Sequence, residues 1–290
     1  MKRITFIILV IGLAILSACA SDTETTSQGK TSSTNKENEE QEQPSEGEKP
    51  DEDKLTEEDA GEEVVEDDPP VEAQYTISEN WSLIPLEEGI NEDIVLLTID
   101  DAPDENAVEM ASTLKELDAG AIFFVNGHFI DTPEEEEMLK EIHEMGFMIG
   151  NHTFSHATLP EISEEEQKEE IISLSDRIEE IIGERPLFFR APHGANTDYA
   201  IKVAEEEGMT VMNWTYGYDY FQPYMDAEKL AEAMISGEGP EVDVPYSLLK
   251  PGANLLMHDR EWTAEALPRI VEGLREKGYE MLDPALIETK

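Results

Sequence analysis

Short apolar runs alternate with longer amphipathic stretches from about residue 94 to the end of the chain. Continuous apolar runs of this length are typical of strands that are buried on both faces. They predict seven strands, at residues 94–99, 121–126, 147–150, 187–190, 210–214, 253–258 and 279–282. The amphipathic stretches between them predict helices at 104–117, 133–145, 163–182, 198–207, 226–235 and 264–277.

Residue types at the ends of these helices agree with the pattern. Thr132 stands just before Pro133, and Thr197 stands just before the fourth helix, as N-terminal caps do. Ser163 and Glu166 have the spacing of a capping box. Glycine readily adopts the left-handed conformation that ends a helix. It follows four of the predicted helices, at Gly146, Gly183, Gly208 and Gly278.

Buried strands that alternate with helices predict a parallel sheet covered by helices, an α/β fold. Seven strands favour an irregular seven-stranded (β/α) barrel, and an open doubly wound sheet is the alternative. Both architectures place their sites at the carboxyl ends of the strands. Five of the six histidines lie at or just past a predicted strand end. We therefore expect the polar groups to converge on one rim of the sheet.

The start of the chain has a different character. Residues 2 and 3 are basic, residues 4–16 form an apolar run, and Ser17-Ala18-Cys19 follow. The apolar run is too short to cross a bilayer, which needs ~20 residues. The segment from Leu16 to Cys19 resembles the bacterial lipobox, in which the cysteine is lipidated after cleavage. We predict a lipoprotein signal peptide at 1–18 and lipidation of Cys19. An ordinary cleaved signal with an incidental cysteine is the alternative.

Residues 20–74 carry 20 acidic and 4 basic residues and almost no large apolar side chain. Such a segment cannot bury enough apolar surface to offset the entropy lost on ordering, and its like charges repel one another. We expect residues 19–74 to be a disordered acidic tether that lifts the folded domain, residues 75–290, from the membrane into the wall. A segment that folds on a partner is the alternative.

The whole chain has 68 acidic and 20 basic residues, a net charge of −48. Because this field repels polyanions, we expect neither nucleic acid nor an anionic membrane surface as a partner. Cys19 is the only cysteine of the sequence, so the domain can form neither a disulfide nor a thiolate metal site. A metal ion in the domain must therefore be bound by histidine, aspartate or glutamate.

Four residues at strand ends are candidate metal ligands. Asp100 and Asp101 follow the first predicted strand, and neighbours in an extended chain point in opposite directions. One could bind a metal while the other faces substrate, and a loop-capping pair is the alternative. His152 and His156 share one face if they lie in a helical turn. Ordinary surface or core histidines are the alternative. Two imidazoles with one carboxylate leave coordination positions open, as a catalytic site requires.

Two more strand ends carry groups that suit acid–base chemistry. Arg190 can keep Asp100 ionised and oriented, because a guanidinium is always charged and binds a carboxylate as a fork. A purely structural ion pair is the alternative. His258 can protonate a leaving group near neutral pH, and a hydrogen-bonded core histidine is the alternative.

Together these segments resemble the polysaccharide deacetylase family, carbohydrate esterase family 4, over about residues 93–285. Asp100-Asp101 matches the first motif, and the two histidines of residues 152–156 match the second. Arg-Ala-Pro-His-Gly at 190–194 matches the third, and Leu-Met-His at 256–258 matches the fifth. Residues 121–125 also look like the family's second strand. The resemblance implies a distorted seven-stranded barrel and metal-dependent removal of acetyl groups.

The resemblance also implies roles for individual residues. Asp100 is similar to the catalytic base. Asp101, His152 and His156 are similar to the ligands of a divalent ion, most often Zn²⁺, whose bound water is the nucleophile.

On the leaving-group side, His258 is similar to the catalytic acid, and Asp219 would tune it. Arg190 would pair with Asp100, and the backbone N–H of His193 would help to hold the oxyanion.

Three departures from the family pattern bear on these roles. Ala102 replaces a glycine, and alanine would be strained there if the position needs positive φ. Asp219-Tyr220 replaces Asp-Trp, with Tyr216 at an earlier acidic position. His193 stands where an aromatic residue is common.

Several rim residues are candidates for contact with substrate. We expect His193, Tyr220 and Trp262 to bind the sugar, with half-buried packing as the alternative for the aromatics of residues 214–221. His128 is either a substrate contact or a structural hydrogen-bond partner. We expect His143 to be a solvated helix residue.

The expected function is metal-dependent hydrolysis of N-acetyl groups from an N-acetylglucosamine-containing polysaccharide, with peptidoglycan as the substrate. The alternatives are an O-acetyl esterase acting on a xylan-like polymer and a catalytically silent protein that binds cell-wall glycan. We expect a monomer at the extracellular face of the cell membrane. Its partners would be the acetylated glycan and, through the lipid anchor alone, the membrane.

Overall fold

The computed structural model describes residues 72–290. The predicted signal peptide, Cys19 and all but the last three residues of the predicted tether lie outside this range. Of those three, Gln74 already pairs through its backbone with Leu286 and Leu86. Among the described residues, no helix has the length and apolarity to cross a bilayer.

The strands follow one another in the order that the apolar runs predict, with a short hairpin added in front. They are β1 Tyr75–Ile77, β2 Leu83–Pro85, β3 Ile94–Ala102, β4 Ala121–Val125, β5 Met148–Asn151, β6 Phe188–Phe189, β7 Thr210–Val211, β8 Ala253–His258 and β9 Glu280–Met281. Strands β1 and β2 pair antiparallel. The other seven form one parallel sheet in the spatial order β7-β6-β5-β4-β3-β8, with β9 against the start of β3. The seven predicted strands are therefore confirmed.

Six helices lie between the strands of the parallel sheet. They are α1 Ala107–Glu116, α2 Pro133–Glu144, α3 Glu164–Ile182, α4 Asp198–Glu206, α5 Ala227–Ser236 and α6 Glu261–Glu276. Thr132 and Ser163 form capping boxes with Glu135 and Glu166, and the side chain of Thr197 caps α4. Each such cap stabilises its helix by about 0.5–2 kcal/mol. The predicted N-terminal caps are confirmed.

The sheet curls far enough for its two ends to meet. Just past β7, the N–H of Thr215 donates to the carbonyl of Asn254 in β8, and the N–H of Leu256 donates to the carbonyl of Tyr216. These bonds form a parallel bridge across the gap between the end strands. The irregular barrel is confirmed, and the open doubly wound sheet is wrong.

Strand β3 lies at the centre of the core. Its residues from Ile94 to Asp100 are buried, and it pairs with β4, β8 and β9. Burying this many apolar side chains stabilises the fold at roughly 25 cal/mol per Å² of apolar surface. The central position of β3 brings the polar residues at its carboxyl end to the middle of the barrel rim.

The apolar pattern does not predict the hairpin, because three-residue strands are too short to show an alternation. Its position depends on Gly252, which has φ 75° just before β8. The N–H of Leu83 donates to the carbonyl of Gly252, and a Cβ at residue 252 would lie 2.0 Å from the carbonyl oxygen of Leu83. Only glycine fits there.

Candidate active site

A cavity of about 550 Å³ opens at the carboxyl ends of the barrel strands. Parallel barrels place their sites at this end, since the loops after all the strands converge there. The cavity is lined by the predicted acidic, basic and aromatic residues together with several others: Asp100, Asp101, His152, His156, His193, Trp214, Asp219, Tyr220, Met225, Leu256, His258, Arg260 and Trp262. The structure therefore brings all the predicted site residues of the domain except Arg190 to the cavity wall, and Arg190 lies buried directly behind Asp100.

Three of these residues form a cluster suited to one metal ion. Asp101, His152 and His156 each offer one ligand atom, and these atoms lie within 4.8 Å of one another. Oδ1 of Asp101 is 3.5 Å from Nε2 of His156 and 4.0 Å from Nε2 of His152. Ligands that bind Zn²⁺ at about 2.0–2.1 Å must lie close together in this way. The donor set and its spacing fit a divalent ion.

The loop that carries the two imidazoles is not helical, so the two histidines do not share the face of a helical turn. Thr153 and His156 both have positive φ, at 68° and 58°. Side chains fold the segment instead. Asn126 donates to the carbonyls of His152 and Thr153, and Oδ1 of Asn151 accepts from the N–H of Thr153. Glu170 of α3 accepts from the N–H and hydroxyl of Ser155. Tertiary hydrogen bonds thus bring residues 152 and 156 together.

The predicted opposite orientation of the two carboxylates is also wrong. The pairing of β3 with β4 shifts register between Ile99 and Ala102, and Asp101 has φ 60°. This kink turns both carboxylates towards the same cavity, and Oδ2 of Asp100 lies 3.6 Å from Nε2 of His152. The positive φ therefore occurs at Asp101. Ala102 does not have a positive φ, so replacing the family's glycine by alanine causes no strain there.

Positive φ in non-glycine residues concentrates at this site. Asp101, Thr153, His156 and His193 account for four of the seven such residues in the described part of the chain. Conformations of this kind cost about 1–3 kcal/mol each and persist where the surroundings hold them. Their grouping around one cavity indicates a functional site.

The cluster is in the ionisation state that metal binding requires. Burial lowers the pKa of His152, and burial together with His152 lowers the pKa of His156 to about 4, so both imidazoles are neutral. Burial alone would raise the pKa of Asp101, but His258, His152, His156 and Arg260 hold it below its ordinary value. Nδ1 of His152 donates to the carbonyl of Arg190 at 2.7 Å, which aims Nε2 into the cavity.

Asp100 and Arg190 form a buried ion pair beside the cluster. Nη1 of Arg190 donates to Oδ1 of Asp100 at 2.6 Å and to the hydroxyl of Thr98 at 2.8 Å. Its other nitrogens donate to the carbonyls of Met212 and Asn213. The guanidinium is fully buried, and its many partners offset the large desolvation penalty of a buried charge. Asp100 is thereby fixed with Oδ2 towards the cavity.

Asp219 and His258 form a second pair on the strand β8 side. Nδ1 of His258 lies 2.8 Å from Oδ1 of Asp219, and Oδ2 of Asp219 accepts from the N–H of His258 and the hydroxyl of Thr263. Burial lowers the pKa of His258, but the charge and hydrogen bond of Asp219 outweigh it and raise the pKa to about 9. The imidazole therefore carries a proton at neutral pH.

Aromatic side chains form part of the cavity wall. The ring of Tyr220 lies edge-on to His258 at 5.7 Å, and Nε1 of Trp262 donates to the carbonyl of Asp219. Tyr220 and Met225 are exposed. Trp214 also lines the cavity.

The remaining candidate residues lie elsewhere or have structural contacts. Tyr216 and Tyr218 are buried, and their hydroxyls donate to the carbonyls of Met234 and Gly237, so these two belong to the core. His128 is exposed and stacks on Phe129 outside the cavity wall. His143 is half-buried on α2, where a solvated residue was expected.

The sequence patterns missed the next two residues after His258. The carboxylate of Asp259 accepts three backbone N–H groups at the start of α1: those of Asp104 and Asn106 in the preceding loop and that of Ala107, the first helical residue. Arg260 donates to Oδ2 of Asp101 at 2.8 Å. The only signal in the sequence is their position directly after a strand-end histidine, which does not show what they contact.

Comparison with known proteins agrees with this fold. The family model for polysaccharide deacetylase matches residues 88–212. A peptidoglycan-N-acetylglucosamine deacetylase of Bacillus cereus is 30% identical over 226 residues, which are 75% of this chain and 77% of the relative. The peptidoglycan-N-acetylmuramic acid deacetylase PdaC of Bacillus subtilis is 29% identical over 71% of this chain and 41% of the relative.

Among solved structures, a carbohydrate esterase family 4 pseudoenzyme from Bacillus anthracis superposes with a TM-score of 0.57 at 26% identity. The match covers 66% of this chain and 63% of that one. The peptidoglycan deacetylase PdaC of Bacillus subtilis superposes with a TM-score of 0.56 at 26% identity, over 67% of this chain and 89% of that one, so the fold is shared with an enzyme and with a pseudoenzyme. From the fold, the ordered motifs and the extent of these matches, we conclude that the chain belongs to the polysaccharide deacetylase family.

Proposed function

We propose that this protein is a metal-dependent hydrolase that removes N-acetyl groups from an N-acetylglucosamine-containing polysaccharide, with peptidoglycan as the substrate. One observation carries the proposal. The ligand cluster of Asp101, His152 and His156 lies in the same cavity as an oriented carboxylate, Asp100, and a protonated imidazole, His258. This is a base and an acid beside one candidate metal position.

Asp101, His152 and His156 would hold the ion, and Zn²⁺ suits two neutral imidazoles with one carboxylate. Such an ion supplies a water of lowered pKa and polarises a carbonyl oxygen. The three residues leave coordination positions open for both.

The base side of the reaction depends on Asp100. Its Oδ1 is occupied by Arg190, so Oδ2 is the atom that accepts the proton from the attacking water. Because the ion pair prevents rotation of the carboxylate, Oδ2 stays directed into the cavity. The acetamide carbonyl carbon would lie between this oxygen and the imidazole of His258.

The acid side depends on His258. Amide hydrolysis expels an amine, which is a poor leaving group until it is protonated, and Nε2 of His258 would donate that proton. Asp219 occupies Nδ1 and holds the imidazole in its charged form. The backbone N–H of His193 is our candidate donor to the oxyanion.

Changing Asp219 to asparagine should shift the pH profile. The acid must be protonated, so activity falls as pH rises through the pKa of His258, which is about 9. Asp219→Asn removes the charge that raises this pKa, so the alkaline limb of kcat/KM should move to lower pH. The pH dependence of kcat/KM for acetate release measures this shift. Asp198→Asn, an exposed carboxylate in the first turn of α4, should leave the limb in place. An unmoved limb in Asp219→Asn would contradict the assignment.

Relatives support the substrate class. The Bacillus cereus relative is named for N-acetylglucosamine and the Bacillus subtilis relative for N-acetylmuramic acid, both in peptidoglycan. Exposed Tyr220 and the indole of Trp262 give the cavity apolar faces on which a sugar ring can pack.

Two other functions remain as outcomes of the test. An O-acetyl esterase on a xylan-like polymer would use the same metal cluster. The other is a catalytically silent protein that binds glycan, and the Bacillus anthracis pseudoenzyme is a precedent for the loss of activity. The candidate base, the candidate acid and the three candidate ligands all line one cavity, which argues against a catalytically silent protein.

Acetate release is the experiment that separates these functions. We expect release from peptidoglycan and chitooligosaccharide, little release from acetylated xylan, loss of activity with a chelator, and recovery on adding Zn²⁺. Release from xylan alone would identify the esterase. Glycan binding without acetate release in the presence of Zn²⁺ would identify the silent protein and contradict our proposal.

We further propose that the chain acts as a monomer at the extracellular face of the cell membrane, anchored through lipid on Cys19. The basic and apolar start, the Leu-Ser-Ala-Cys segment and the acidic residues 20–74 support the anchor and the extracellular location. Incorporation of a labelled fatty acid that is abolished in Cys19→Ser tests the anchor, and an unlabelled wild-type chain would contradict it.

A further inference from the structure

Arg260 is part of the cavity wall and follows the candidate acid, His258, by two residues. Its Nη2 donates to Oδ2 of Asp101 at 2.8 Å, and its Nη1 donates to the carbonyl of Asp259 at 2.8 Å. Among the described residues that line the cavity, it is the only lysine or arginine. Its partner is a candidate metal ligand, so the contact bears on the metal site.

The two oxygens of Asp101 have separate partners. Oδ1 faces the imidazoles of His156 and His152, at 3.5 and 4.0 Å. Oδ2 faces the guanidinium of Arg260. A carboxylate held at one oxygen cannot rotate freely about its last bond, so the other oxygen keeps its direction. The arrangement offers a metal ion Oδ1 alone.

Asp101 needs such support because its backbone is unfavourable. Its φ of 60° lies in the left-handed region, which a side-chain-bearing residue rarely adopts. The neighbouring Asp259 holds the backbone of the following loop through three N–H groups, and the N–H of Asp259 donates to the carbonyl of Asp100. The two residues after His258 therefore hold this region together: Asp259 holds the backbone of the loop after β3, and Arg260 holds the side chain of Asp101.

We propose that Arg260 is a positioning residue that restricts Asp101 to bind a divalent ion through Oδ1 alone. This keeps open the coordination position that a second carboxylate oxygen would take. The inference rests on the metal site of the proposed function. It concerns how the site is built and not which acetyl group is removed.

If Arg260 did not position Asp101, its charge would lower the affinity of the site for a divalent ion. It would only repel the divalent cation, and its removal would tighten binding. A positioning residue instead supports the ligand, and removing such a partner typically weakens metal affinity by about 10–100-fold. The sign of the change therefore distinguishes the two roles.

The test is Zn²⁺ affinity of the metal-free full chain, measured by competition with a chromophoric chelator. We expect Arg260→Met, which keeps the length of the side chain without its charge, to bind Zn²⁺ about 10-fold or more weakly than wild type. Arg269→Met on α6 is the matched control. Its guanidinium faces Glu232 at 3.5 Å on the surface, and its affinity should equal wild type.

Equal or tighter binding by Arg260→Met would overturn the inference. Failure of the wild-type chain to take up Zn²⁺ would overturn it together with the proposed metal site. The visible spectrum of the cobalt-loaded chains gives a second readout, since it reports the number of ligands. We expect the band intensities of Arg260→Met to differ from wild type. Superimposable spectra would overturn the assignment of a single bound oxygen.

Discussion

Asp100→Asn should lose acetate release by about 10²–10⁴-fold, the usual contribution of a general base. An amide has nearly the shape of the carboxylate but cannot accept the proton of the attacking water. The candidate ligands Asp101, His152 and His156 are untouched, so the variant should still bind one equivalent of Zn²⁺. Turnover on chitooligosaccharide and metal content of the same sample measure both expectations.

Asp198→Asn is the control for this variant, since it replaces an exposed carboxylate in the first turn of α4 that does not line the cavity. It should keep wild-type turnover. If Asp100→Asn also keeps wild-type turnover, Asp100 is not the base. If it loses its metal together with its activity, Asp100 acts as a ligand and the division between Asp100 and Asp101 is wrong.

Arg190→Met should destabilise the domain by about 3–5 kcal/mol, the usual effect of removing one partner from a buried pair. The carboxylate of Asp100 would be left buried without its countercharge, and the carbonyls of Met212 and Asn213 would lose their donor. For a domain of this size the melting temperature should fall by roughly 6–20 °C. Thermal unfolding followed by circular dichroism measures this change.

Two comparisons show whether the buried pair is the cause. Arg269→Met removes an exposed arginine whose ion pair contributes at most about 1 kcal/mol, so it should melt close to wild type. Adding Asp100→Asn to Arg190→Met should recover part of the lost stability, because no uncompensated charge remains. An Arg190→Met chain that melts with the wild type would show that the guanidinium does not stabilise the rim.

Much of the barrel could be predicted because its signals are local. Apolar runs such as 94–99 and 253–258 lie almost where β3 and β8 lie, since a strand buried on both faces has mostly apolar side chains on both of them. The hydrogen-bonded ladders of β6 and β7 are only two residues long, although their apolar runs are longer. Beyond β7, Met212 is still buried and its N–H donates to the carbonyl of Phe189, whereas Leu187 in front of β6 is exposed. The apolar runs therefore locate these two strands without fixing where they end.

The loop from His152 to His156 shows where local reasoning fails. A spacing of four residues fits a helical turn, but the conformation of this loop depends on hydrogen bonds from Asn126, which follows β4, and from Glu170 of α3. The kink at Asp101 is similar, since the register shift between β3 and β4 arises only when those strands pair. Neither the loop nor the kink can be predicted from its own residues, because the residues that determine its conformation lie elsewhere in the chain.

The sequence by itself determined the order of strands and helices, the strand ends at which polar residues stand, and the set of residue types available to bind a metal. These follow from burial and capping, which act on each segment separately. Only the tertiary structure decided that both carboxylates face one cavity, that the barrel closes next to β8, and that Arg260 holds Asp101. These depend on hydrogen bonds and ion pairs between residues far apart in the chain, whose partners are set by the packing of the barrel.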